Sequence, residues 1–422
     1  MKKIAIIGLG YVGLPLALAF DKYYKVIGFD NSTNRISELN FSKDINGEHS
    51  KKEINKRKNI VFTTNEENLN GADFFIVTVP TPIYQNKLPN LTYLQNACSI
   101  VAKKIKKNSI IIFESTVYPG CTEEFCARIL EKISGLILNK DFFVGYSPER
   151  INVGDKNHTL SKIKKIVSGS TDKSMKKISL LYKKIIKAGI YEAESIKVAE
   201  AAKAIENTQR DINIAFINEV GSIFNKLNIS INSVLNAAKT KWNFLDFKPG
   251  LVGGHCIGVD PYYLAYCANQ IGHVPQVINA GRGINDNMAN ELSKIFYKKI
   301  MERFNKKKLY NILILGLSFK ENTNDIRNSK VFDLARLLKK KKLIIDIYDP
   351  LITEKIKNKN FNFIKDNKFK KKYHAIFFAV PHKKIIKTLP KISKFLHKNS
   401  FIFDFKNAIS AKSFYGKEIL KF

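Results

Sequence analysis

The run Lys3–Ile7, apolar after its first residue, gives way at once to Gly8-Leu9-Gly10-Tyr11-Val12-Gly13, and no other feature restricts this chain as much. A continuously apolar strand is one buried on both faces, a situation that a helix-covered parallel sheet provides. The spacing G-x-G-x-x-G between such a strand and a helix, here Leu14 to Phe20, fits a turn that cradles a dinucleotide. Gly8 allows the tight turn, Gly10 lets the backbone approach a pyrophosphate, and Gly13 lets helix and strand pack closely. The N–H groups at the helix N-terminus face the phosphates. The next strand, Lys25 to Asp30, ends in an acid 22 residues after Gly8. There a carboxylate accepts hydrogen bonds from ribose hydroxyls and repels a 2′-phosphate, so the expected cofactor is NAD. Arg35 argues for NADP, but it could equally stack on the adenine.

Strand and helix patterns keep alternating after this turn. Ala72 to Val79 and Ser109 to Phe113 read as strands around a helical stretch from Leu91 to Lys106. The last 115 residues or so repeat the order. Asn311 to Gly316 is a strand ending in glycine, Ser329 to Leu338 a helix, and Leu343 to Asp349 a strand ending in an acid. His374 to Pro381 then parallels Asp73 to Pro80, and Lys398-Asn399-Ser400 leading into FIFDF parallels Lys107-Asn108-Ser109 leading into IIIFES. The expected fold is α/β, with two Rossmann-like doubly wound lobes joined by a central helical domain. The expected boundaries are 1–191, 192–304 and 305–422. The Ala-rich helix after Glu192 suggests self-packing, hence a homodimer or higher homo-oligomer.

Composition removes several alternatives. The 422 residues are too many for one core. No uninterrupted apolar stretch approaches the length that spans a bilayer, and the glycines interrupt any leader-like N-terminus, so a cytoplasmic protein is expected. Five cysteines without CxxC spacing and seven histidines without paired spacing argue against disulfides and metal. The net charge of +34 invites a nucleic-acid reading. However, nine of the 71 basic residues are arginine and 62 lysine, scattered in runs such as Lys339 to Lys342 that suit solvated faces, and no nucleic-acid motif is present.

A second informative segment is Gly253-Gly254-His255-Cys256-Ile257-Gly258-Val259-Asp260. Cys98, Cys126 and Cys267 stand in helical apolar surroundings and read as packing thiols. Cys256 instead follows two glycines that allow a ligand close to the backbone, with an acid four residues on. A nucleophilic cysteine in a dehydrogenase captures an aldehyde as a thiohemiacetal, from which a second hydride leaves to give a thioester.

With these segments in view, the chain resembles the UDP-glucose/GDP-mannose dehydrogenase family, and most of all its bacterial branch acting on UDP-N-acetylhexosamines. The resemblance runs from GLGYVGLPLA at Gly8 through ESTVYPG, GYSPERINVGD, AEAAKAIENTQRDINIAFINE and KWNFLDFKPGLVGGHCIGVDPYYL to GLSFKENTNDIRNSK at Gly316. It implies oxidation of the sugar C6 hydroxyl to a carboxylate, for an acidic capsule or O-antigen glycan. It also implies roles: Cys256 the nucleophile, Lys203 the oxyanion stabiliser, Asn207 a sugar contact one helical turn on. Asp260 with Thr116 would position a water and manage protons in the first oxidation, and Glu149 would be general base for thioester hydrolysis. Arg150, Ile151, Asn152 and Gly253 would shape the sugar pocket, and Lys320 would contact the UDP. Tyr11, Val12, Thr81, Thr116 and Arg327 would join the glycine loop around the cofactor. One departure is Val153, where UDP-glucose-specific relatives carry an acid, which makes UDP-glucose the less expected substrate.

Overall fold

A computed structural model describes residues 2–150, 157–304, 309–352, 356, 360–409 and 417–422. The chain divides into two units, Met1–Asn207 with Val259–Val274, and Thr208–Gly258 with Pro275–Phe422.

The first unit is built on eight strands: β1 (Lys3–Ile7), β2 (Lys25–Phe29), β3 (Ile60–Thr63), β4 (Phe74–Val77), β5 (Ile110–Phe113), β6 (Phe143–Tyr146), β7 (Lys165–Gly169) and β8 (Ile190–Glu192). Their order is β3-β2-β1-β4-β5-β6-β7-β8. All neighbours pair parallel except β6 and β7, which run antiparallel with Tyr146 opposite Ser168. The apolar runs have the physical cause inferred from them, because successive side chains enter different cores. Ala5, Ile7, Phe75, Val77, Ile111 and Phe113 pack on one face. Ile4, Ile6, Phe74, Ile76, Ile110 and Ile112 pack on the other.

The second unit repeats this plan with β9 (Asn311–Leu315), β10 (Ile344–Tyr348), β11 (Asn362–Ile364), β12 (Tyr373–Phe378), β13 (Leu396–Asp404) and β14 (Glu418–Lys421), in the order β11-β10-β9-β12-β13-β14. Ile312, Ile314, Ala375, Phe377, Phe401 and Phe403 face one core, and Leu313, Leu315, Ile376, Phe378 and Ile402 the other. The sequence thus contains two doubly wound lobes, as its duplicated pattern indicates.

The central segment is helical: Ile196–Lys226, Ile231–Ala238, Asp260–Gln270 and Gln276–Arg303. Its helices are distributed over both units. The first of them belongs to one unit as far as Asn207 and to the other from Thr208. Among the described residues, no helix is long and apolar enough to cross a membrane.

Candidate active site

The glycine loop follows β1 and opens the helix Gly13–Phe20. At Gly13 a Cβ would stand 1.9 Å from the Gly8 carbonyl oxygen and 2.6 Å from Thr78 Oγ1, so only glycine fits. At Gly10 a Cβ would meet nothing within 4 Å, which leaves space above the backbone for a phosphate. The helix start carries no side-chain cap, and a helix N-terminus of this kind suits an anion. Asp30 Oδ2 accepts from the Leu9 N–H at 2.9 Å and Oδ1 from the Ser32 N–H at 3.0 Å. Arg35 grips the same turn: Nε donates to the Leu9 carbonyl at 2.9 Å, and the guanidinium pairs with Asp44 at 2.9 Å. Tyr11, Val12, Thr81 and Thr116 are half-buried in this unit. Next to Thr116, Ser115 Oγ donates to the Val79 carbonyl at 2.6 Å, tying the β5 loop to the β4 loop. The open space at Gly10 and the uncapped helix start fit the phosphates of a dinucleotide, and Asp30 closes the turn beside them.

The same unit buries a polar helix face. Glu200, Lys203 and Asn207 lie three and four residues apart on the helix from Ile196, a spacing that aligns them. Glu200 accepts the Gly120 and Thr122 amides at 2.5 and 2.9 Å, which fastens this helix to the ESTVYPG loop. Burial pushes its carboxyl up to about 7 against those bonds. Lys203 Nζ donates to the Glu149 carbonyl at 2.8 Å. Asn207 Nδ2 donates to Asp260 Oδ2 at 2.5 Å, while its buried Oδ1 has no partner among the described residues. A buried acceptor left open in this way suits a hydroxyl or amide of a bound ligand. Asp260 begins the helix Asp260–Gln270, and burial raises its carboxyl to about 6, with Lys203 and the Asn207 bond pulling the other way. Glu149 turns its side chain to Lys165, and Arg150 pairs with Glu206. Ile151, Asn152 and Val153 lie outside the described residues.

In the second unit, Cys256 is exposed and in no disulfide, whereas Cys98, Cys121 and Cys126 are buried. The loop before it is held from both ends. Asn218 binds Gly250 twice, accepting from its N–H and donating to its carbonyl, each at 2.9 Å. Asn218 in turn donates to Asn285, which donates to Asp211, the buried partner of Arg282 at 2.6 Å. At Gly253 a Cβ would lie 2.5 Å from the Asn328 carbonyl oxygen, so this loop passes another backbone closely. His255 stands 3.9 Å from Asp325, and burial with the nearby Arg327 lowers its pKa, so it is neutral at pH 7. Arg327 forks onto Asp325, and its side chain remains largely exposed. Lys320, Lys330 and Lys406, with Glu321, Ser318 and Val380, line a cavity beyond the ends of β9 and β12. The strand order reverses between those two strands, the place where open α/β sheets take ligands. Lys406 pairs there with Glu321 at 3.6 Å and Lys330 with Asp286 and Asp333 at 3.3 and 3.4 Å, and three lysines against one lining carboxylate suit an anionic ligand.

Sequence reasoning did not single out Glu114, Lys165, Glu200, Asn218, Lys330 or Lys406. The one available signal was a charged residue at the start or end of a strongly apolar strand, as Glu114 and Lys165 are. Their partners are distant in sequence.

Three family signatures match the chain: the NAD binding domain of the UDP-glucose/GDP-mannose dehydrogenase family at residues 2–186, its central domain at 197–287, and its UDP binding domain at 313–411. A UDP-N-acetyl-D-glucosamine 6-dehydrogenase of Salmonella typhi is 50% identical over 381 residues, 90% of either chain. One from Pseudomonas aeruginosa is 51% identical over 351 residues, 83% of either chain. The structure of a UDP-D-ManNAc dehydrogenase from Pyrococcus horikoshii aligns with a TM-score of 0.88 at 29% identity, covering 100% of this chain and 99% of that one.

Proposed function

Because this chain belongs to the UDP-glucose/GDP-mannose dehydrogenase family and is an NAD-dependent UDP-sugar dehydrogenase, we propose that it oxidises C6 of a UDP-N-acetylhexosamine, UDP-GlcNAc or UDP-GalNAc before UDP-ManNAc, to the uronate. The observation that carries this reading is the 50% identity with a UDP-N-acetyl-D-glucosamine 6-dehydrogenase over nine-tenths of both chains. NAD, when bound, accepts the hydride in each of two successive oxidations.

The residues divide the remaining work. The glycine loop, Asp30 and the uncapped helix start hold the dinucleotide, and the cavity with Lys320, Lys330 and Lys406 holds the UDP diphosphate. Asp260, with Thr116, positions a water and through it takes up the proton of the C6 hydroxyl in the first oxidation, and Lys203 stabilises the oxyanions that follow. Asn207 presents its open Oδ1 to the sugar. Cys256 attacks the aldehyde, the thiohemiacetal is oxidised to a thioester, and water activated by Glu149 releases the product. A uronate suits the assembly of an acidic surface polysaccharide.

The test is NADH yield with limiting UDP-GlcNAc, UDP-GalNAc, UDP-ManNAc and UDP-glucose. About two NADH per sugar, with an N-acetylhexosamine preferred in kcat/KM, is expected. About one per sugar would move the protein to the two-electron dehydrogenases.

A proton acceptor held near pKa 6 also sets a pH limb. Asp260 is ionised above about pH 6 and protonated below it, so kcat/KM should fall as pH drops through 6. Asp260→Asn should lower the rate about 10²- to 10⁴-fold and remove that limb, measured as a pH–rate profile. A limb unchanged in the variant would assign it to another group.

A further inference from the structure

Lys165 and Glu114 are two buried charges to which the reaction above gives no part. Lys165 opens β7 with its side chain 3% exposed. Its Nζ donates to Glu114 Oε2 at 2.8 Å and to Glu149 Oε2 at 2.6 Å. The second oxygen of each carboxylate meets a neutral donor: the Tyr182 hydroxyl on Glu114, and the Arg150 N–H, at 2.7 Å, on Glu149. Burial alone would lower the lysine pKa, but Glu114 and Glu149 outweigh it and hold the ammonium above its usual value. Burial likewise pushes Glu114 up, against the pull of Lys165.

A buried ion cluster is a poor way to stabilise a core, since apolar side chains of similar volume serve as well or better. It is a good way to fix the direction of a carboxylate. Glu149 is held twice, its side chain by Lys165 and its own carbonyl by Lys203.

We propose that Lys165, backed by Glu114 and Tyr182, is a positioning residue that sets the Glu149 carboxylate for hydrolysis of the Cys256 thioester. This rests on the role given to Glu149 above. In that step the water oxygen bonds to the thioester carbon while one water proton passes to the Glu149 carboxylate. The C–S bond breaks, sulfur leaves as thiolate, and the uronic acid forms and ionises.

Lys165→Met alone leaves two carboxylates without a counter-charge and endangers the fold. The charge-balanced variant Glu114→Gln/Lys165→Met removes one charge of each sign and is the decisive protein. With the N-acetylhexosamine substrate and NAD, kcat should fall about 10- to 100-fold while KM changes by less than about threefold. Intact mass after acid quench should show a uronyl adduct on Cys256 that wild type does not accumulate, and Lys165→Arg should restore most of the rate. A folded double variant that turns over like wild type without adduct would overturn the proposal. Glu149→Gln run in parallel separates the two failures. If that variant keeps its rate and shows no adduct, the role of Glu149 is lost and the proposal falls with it.

Discussion

Cys256→Ala should reduce the NADH formed from about two per sugar to at most one, and cut steady-state turnover at least about 10³-fold. Without the thiol no thioester forms, so the second oxidation loses the bound species from which its hydride leaves. The substitution itself is structurally mild. Cys256 is exposed, and its loop is anchored by Asn218 at Gly250 and by the close passage of Gly253 past Asn328, neither of which needs the thiol. An unchanged melting temperature should therefore accompany the kinetic loss. The same exposure means that limiting iodoacetamide should label Cys256 before Cys98, Cys121 or Cys126, which peptide mass mapping reads directly. Retention of two NADH per sugar in the alanine protein would remove Cys256 from the chemistry.

Gly13→Ala should be the most damaging small substitution in the first unit. The added methyl would overlap the Gly8 carbonyl oxygen at 1.9 Å, and neither backbone can yield without moving β1 from the helix it feeds. Overpacking of this kind costs about 1–3 kcal/mol or more, enough to lower the melting temperature by several degrees and to open the turn that receives the cofactor. Gly10→Ala is the informative control, since a methyl there meets no protein atom within 4 Å. It should leave the melting temperature unchanged and weaken NAD binding at least about tenfold, because the methyl occupies the space through which the pyrophosphate approaches. Thermal unfolding and NAD titration of the two proteins separate a fold defect from a binding defect. Equal melting losses in both would show that the loop needs glycine for its backbone alone.

What the sequence revealed follows from the range of the forces involved. Strands buried on both faces announce themselves locally, so β1, β4, β5, β9, β10 and β12 were legible as apolar runs. So was the turn after β1, whose glycines are adjacent to what they accommodate. The short β6, β7 and β8, with their single antiparallel pairing, were not singled out; β8 has three residues, too few for a period to show. Arg35 shows the limit for side chains. Its place five residues after Asp30 is compatible with an adenine contact, but nothing in that place foretells the bonds its guanidinium makes to Asp44 and the Leu9 carbonyl. Lys165 shows it more sharply. In the run Lys162-Ile163-Lys164-Lys165 it reads as one more solvated lysine, and only the tertiary arrangement brings Glu114 and Glu149, 51 and 16 residues away, to its ammonium.

The two lobes share one detail finer than their strand order. Gly8 donates to the Phe29 carbonyl at 2.8 Å and Leu9 to Asp30 at 2.9 Å; Gly316 donates to the Tyr348 carbonyl at 2.9 Å and Leu317 to Asp349 at 2.7 Å. Both first glycines have positive φ, 94° and 86°. Where the first lobe leaves Gly10 open, the second places Ser318, and His382 joins Asp349 at 2.9 Å. Such a pattern is what descent from a single ancestral half-gene would leave behind. The acid that clasps the turn is common to both lobes, whereas the phosphate-facing glycine of the first has Ser318 as its counterpart in the second. An acid closing the second strand can thus hold this turn whether or not the loop above it is left open for a phosphate.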